Sequence, residues 1–121
     1  MSRYMLLLYA PQTDEAGERE RWAEMPLWTE LTDSLAEAGL LVSNNPLHSV
    51  LTATTVRVRD GETEITDGPF AVTKEVLAGY YILDCDGLDE ALRVAERMPT
   101  ARFGSVEVRP VMEPGEIPGA A

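Results

Sequence analysis

A strand, a helix and a strand recur in that order in each half of the chain, with a hairpin between the halves. Arg3 to Ala10 is an apolar run that reads as a strand buried on at least one face. Pro11 ends it. Thr13 to Arg21 is charged and interrupted by Gly17, so it reads as a solvated loop or the frayed start of a helix. Trp22 to Ala38 has helical spacing, with Trp28, Leu31, Leu35 and Ala38 on one stripe and Leu27 beside them. Pro26 is tolerable only in a first turn, which places the regular helix start close to it. Gly39 is the stop signal.

Leu40 to Val42 reads as a short strand running into the turn cluster Ser43-Asn44-Asn45-Pro46. Thr54 to Asp60 alternates, with Val56 and Val58 on one face and Arg57 and Arg59 on the other. Asp60-Gly61 is a hairpin signal, and Glu62 to Thr66 is the returning strand. Ala78 to Cys85 is the densest apolar run and suits a central strand. A second helix follows over Leu88 to Met98, with Leu88, Ala91, Leu92 and Ala95 on its inner side. Ser105 to Val111 alternates again. This order predicts an α+β, ferredoxin-like fold: an antiparallel sheet with two helices on one face. Residues 1–113 form the domain, and 114–121, rich in Gly, Pro and Ala, form a flexible tail. The helix-free face is left apolar. A second copy is its expected cover, in a homodimer of the two-sheet barrel type.

The 121 residues include 10 Lys and Arg against 21 Asp and Glu, a formal net charge of −11. A field of that sign repels nucleic acid and anionic membrane surfaces. Met5 to Tyr9 is too short for a secretory apolar region, and nothing approaches the roughly 20 apolar residues of a membrane helix. The expected location is cytoplasmic. Cys85 is the single cysteine, so no internal disulfide forms. With one histidine and one cysteine far apart in sequence, no metal motif exists, and no glycine-rich loop cradles a phosphate. No cofactor is expected.

The connection Asp67-Gly68-Pro69-Phe70-Ala71-Val72-Thr73-Lys74-Glu75 is unusual between two strands. It gathers a turn, an aromatic ring, a lysine and two acids in one loop, where sites tend to lie. With Gly79-Tyr80-Tyr81, Tyr4-Met5-Leu6-Leu7, Thr52 to Arg57, Leu88 to Ala91 and Gly104 to Pro110, the chain resembles the DGPF branch of the YCII-related family. The resemblance extends to about Glu113. It implies a dimeric α+β barrel of ferredoxin-like protomers. Enzymatic relatives are thought to use a His–Asp pair; one removes chloride from a chlorinated aromatic ring, and a more distant one is muconolactone isomerase. Most relatives of the DGPF type have no established activity, and many are encoded near extracytoplasmic-function sigma factors. The catalytic histidine of that pattern lies about eleven residues before the glycine ending the first helix. Counting back from Gly39 reaches Trp28, which exchanges no proton at neutral pH, so that chemistry does not carry over.

His48 is the sole histidine and hence the candidate for proton transfer; the alternative is a merely exposed side chain. Asp67 is the candidate that orients it or acts as a base, and it equally well opens the Asp-Gly-Pro turn. The candidate ligand-binding residues are Trp28, Phe70, Lys74, Tyr80 and Tyr81. Each has a plainer role. Phe70 would plug the core or the dimer interface, Lys74 would pair with Glu75 at the surface, and the tyrosines would pack on opposite strand faces. Trp22, Trp28 and Met25 could wall an apolar pocket near the helix start. Two functions fit. One is a cofactor-free enzyme for proton transfer, isomerisation or elimination on a small organic molecule, with His48, Asp67 and Lys74 converging. The other is a non-catalytic ligand-binding or regulatory protein, linked to a sigma factor as many relatives are.

Overall fold

The computed structural model describes residues 1–119. Its elements are β1 (Ser2–Pro11), α1 (Glu15–Trp22), α2 (Met25–Glu37), β2 (Leu41–Pro46), β3 (Thr54–Arg59), β4 (Glu62–Asp67), β5 (Glu75–Cys85), α3 (Leu88–Arg97) and β6 (Ser105–Pro110). Four strands form one antiparallel sheet in the order β2-β5-β1-β6. This is the ferredoxin-like α+β arrangement. β1 and β5 occupy the centre, each with a hydrogen-bonded neighbour on both edges, and they are the long apolar runs whose inward residues build the core. Leu6, Leu8 and Ala10 of β1 alternate inward, and Leu6 pairs with Tyr81 of β5. Tyr81, Leu83 and Cys85 do the same from β5.

The helices cover this face. Leu31 and Leu35 of α2 and Ala91, Val94 and Ala95 of α3 complete the core, with Met98 closing one end. Leu6, Leu35, Leu83 and Met98 are fully buried, and each stabilises the fold by about 1.5–3 kcal/mol.

Four local readings are corrected. The charged stretch after Thr13 is a separate helix, α1. The Asp14 carboxylate caps it by accepting the Gly17 N–H at 2.9 Å. None of its residues is buried, so its face contributes little to the core. The Ser43–Pro46 turn cluster is strand, because Asn44 and Asn45 pair with Tyr81 and Tyr80 and lengthen β2 along β5. On α3 the inner side is Ala91, Val94 and Ala95, while Leu88 and Leu92 are exposed. A three-and-four spacing allowed either stripe, and the small residues let the helix approach the sheet. Phe70 plugs no core in the protomer: it is 77% exposed.

The opposite sheet face carries Met5, Leu7, Tyr80 and Ile82, each half-buried, with no helix over it. β3 and β4 form a separate two-stranded sheet. Its turn has Asp60 and Gly61 both at positive φ, 52° and 78°, the geometry an Asp-Gly hairpin requires. One hairpin face pairs Arg57 with Glu64 and Arg59 with Glu62. The other pairs Val56 with Ile65, both largely exposed. Residues 113–119 include a short 3-10 turn at Pro114–Glu116. Ala120 and Ala121, the end of the expected tail, lie outside the described residues. No helix among the described residues is long and apolar enough to cross a membrane.

Candidate functional site

A cavity of about 450 Å³ lies between the helices and one end of the sheet. It exists because the α1–α2 junction stands off the sheet where β2 ends and β5 begins. Leu8, Ala10 and Tyr81 form its floor, from the same inward face that builds the core. Met25 and Trp28 wall it from α2, and Trp22 from α1. Phe103, in the turn before β6, closes a further side. The volume is that of a typical small-molecule pocket, and the mostly apolar lining is equally typical.

Two aromatic rings give the floor its shape. Trp28 and Tyr81 stack with centroids 6.1 Å apart and planes at 20°. The Tyr81 hydroxyl lies 2.6 Å from Thr32 Oγ1, one turn along α2 from Trp28. That hydrogen bond ties helix to central strand and fixes the ring orientation. A ligand therefore meets a preformed aromatic surface with one hydroxyl pair at its edge.

The charged groups sit higher. Glu18 and Arg21 of α1, Glu24 at the junction and Asp33 of α2 line the cavity. Glu24 is already committed to Arg102 at 2.9 Å. The Arg21 guanidinium stands 5.1 Å from the Phe103 ring centroid, within cation–π range.

Of the residues picked out in the sequence, His48, Trp28 and Tyr81 line the cavity, as do Trp22 and Met25. His48 follows the end of β2, is exposed, and makes no side-chain hydrogen bond among the described residues. Asp67, Phe70, Lys74 and Tyr80 are not in the lining. Asp67 is the last residue of β4, paired with Thr54 and exposed. Gly68 follows it at φ 100° and donates its N–H to the Ala53 carbonyl at 2.7 Å, which extends the β3–β4 pairing by one residue, while the Asp67 carboxylate makes no hydrogen bond among the described residues. The Phe70 carbonyl accepts from Arg57 at 3.5 Å. Tyr80 lies on the helix-free face, where its hydroxyl accepts from Asn45 Nδ2 at 2.9 Å. No His48–Asp67 hydrogen bond is present among the described residues. Sequence reasoning missed Thr32, Phe103 and Glu18. Thr32 carried a usable signal, a hydroxyl one helical turn after Trp28 on the same face. Phe103 and Glu18 carried none.

Cys85 is fully buried away from the cavity. Burial pushes its thiol pKa up, and the carboxylates of Glu90, Asp84 and Asp86 push the same way. It is a packing residue.

The YCII-related domain model matches residues 2–114. A protein of Rhizobium meliloti (strain 1021), itself uncharacterised, is 48% identical over 86 residues, covering 68% of this chain and 69% of the relative.

Proposed function

The chain belongs to the YCII-related domain family, and we propose that it binds a flat, largely apolar small molecule in the cavity over the Trp28–Tyr81 stack. The observation that carries this reading is the stack itself. Two aromatic side chains are held rigid at the floor of a ligand-sized cavity by the Tyr81–Thr32 hydrogen bond. A binding role without acid–base chemistry is favoured over catalysis, because the one imidazole has no carboxylate orienting it and Asp67 lies outside the cavity lining. A cofactor-free enzyme is the second reading, supported by His48 standing in the cavity lining. A second copy would cover the helix-free face of Met5, Leu7, Tyr80 and Ile82 in a two-fold dimer.

Both tryptophans line the cavity, so their fluorescence reports its occupancy. Titration with 2-naphthol, a neutral flat probe, should quench it saturably. Ala10→Leu, which fills the floor, should weaken binding about tenfold or more by steric exclusion. Phe70→Ala and Lys74→Ala should leave binding unchanged. If binding is lost in Phe70→Ala or Lys74→Ala and kept in Ala10→Leu, the ligand sits on the hairpin exit and the reading is wrong. His48→Ala separates the two readings: unchanged ligand affinity with loss of any turnover in a metabolite screen would establish the enzyme.

A further inference from the structure

The charges around the cavity say what kind of molecule it admits. Apart from the Tyr81 phenol, five charged or titratable side chains line the cavity, and three are carboxylates: Glu18, Glu24 and Asp33. Arg21 and His48 are the other two. Glu24 is neutralised by Arg102, whose guanidinium reaches it at 2.9 Å from outside the lining. Arg21 keeps its charge while lying against the Phe103 ring, so with Arg102 it offsets two of the three carboxylates and leaves the site with an excess of one negative charge. Lys74, the cation that sequence reasoning offered to an anionic ligand, is not in the lining. The carboxylates without an ion-pair partner among the described residues are the exposed Asp33 at the rim and the half-buried Glu18. Glu18 has no ion-pair or side-chain hydrogen-bond partner among the described residues. A half-buried carboxylate without a partner favours a cation beside it.

The aromatic lining points the same way. Ring faces attract cations, and the chain already parks one of its own on Phe103. Trp22 and Trp28 present further ring surface in the same cavity as Glu18. The global charge of −11 adds a long-range bias of the same sign, raising the local concentration of cations and repelling anions. We propose that the ligand of this cavity is an arylalkylamine: a flat ring system lying on the Trp28–Tyr81 floor, with an alkylammonium group directed toward Glu18 between the aromatic walls. A carboxylate on the same skeleton is rejected.

This inference rests on the cavity reading above, and three probes of one skeleton separate the two. They are 2-naphthylmethylamine (cationic at pH 7), 2-naphthol (neutral) and 2-naphthoate (anionic), each titrated against tryptophan fluorescence. The amine should bind at least about tenfold tighter than the carboxylate at low salt, with the neutral probe between. Raising the salt to about 0.5 M should shrink that ratio by screening. Glu18→Gln should lower amine affinity several-fold, leave 2-naphthol unchanged, and nearly keep the thermal midpoint, since the Glu18 side chain makes no hydrogen bond or ion pair among the described residues. Comparable binding of all three probes overturns the charge preference and leaves the cavity reading standing. An amine preference that survives Glu18→Gln overturns the role given to Glu18. Absence of binding by every probe overturns both.

Discussion

The Tyr81–Thr32 hydrogen bond makes a quantitative test of how the floor of the cavity is held. Tyr81 is 4% exposed and its hydroxyl is 2.6 Å from Thr32 Oγ1. Tyr81→Phe removes one hydroxyl and leaves that of Thr32, which is only partly buried and can turn to water. The expected cost is the net value of one hydrogen bond, about 1 kcal/mol. Thr32→Val is more expensive, about 1–2 kcal/mol, because it strands the better-buried tyrosine hydroxyl. Helix propensity does not confuse the comparison, since Thr and Val rank together. In the double variant neither group is stranded, so its cost should match that of Tyr81→Phe alone, about 1 kcal/mol, well below the sum of the two. Urea unfolding of the four proteins measures this directly. A midpoint shift of about 3–6 °C should accompany each kcal/mol in thermal melts. Should the double variant cost the sum of the singles, the two hydroxyls are uncoupled and the floor is held by packing alone. Tyr81→Phe should also loosen the ring, which near-UV circular dichroism of the Trp28–Tyr81 pair would register.

Three other outcomes follow from the same geometry. Gly104→Ala should destabilise by more than about 2 kcal/mol, or prevent folding, because a Cβ there meets the Tyr9 carbonyl across the β1–β6 pair; equal stability in denaturant would show the strands can part. Cys85 should stay unreactive toward a disulfide reagent until the chain unfolds. Its raised thiol pKa also means the native state holds the proton longer than the unfolded chain. That contribution to stability is complete below the ordinary thiol range, about pH 8.5, and is lost as pH rises through the native value; a melting temperature flat from pH 8 to 10 would contradict it. The proposed dimer predicts twice the protomer mass in light scattering and a monomer after Ile82→Glu, while a wild-type monomer would remove the proposal.

The fold was readable because its pattern is redundant. Two strand–helix–strand runs, an Asp-Gly hairpin and a dense central strand each constrained the topology independently. The errors were local and share a cause. Asn44 and Asn45 have turn chemistry, but the neighbouring edge of β5 supplied backbone partners that outweigh a weak local preference. The α1 helix went unread because it has no apolar stripe; its signals were an Asp14 cap and acids in the first turn, which a search for periodicity passes over. On α3, Leu88 and Leu92 drew attention by size, whereas the packing distance to the sheet selected Ala91, Val94 and Ala95.

The site was legible only in part, and the division is physical. Met25 and Trp28 were visible because a cavity wall made by a helix start inherits the apolar stripe of that helix, and Trp22, the last residue of α1, because it is a large apolar residue next to that start. Tyr81 was visible as one of a strand pair of which one member had to face inward. The polar and charged members were not legible, because they meet through space from distant segments. Thr32 finds its partner 49 residues away, and Glu24 is neutralised by Arg102, 78 residues on. The loop that looked most like a site, Asp67 to Glu75, has Gly68 at positive φ and apolar residues left in the open: Phe70 at 77% and Val72 at 100% exposure. A cavity, by contrast, is built from what the core leaves unfilled, and core residues look ordinary in sequence. The ligand preference drawn above therefore comes from a count of spent and unspent charges, a quantity that exists only once the chain has folded.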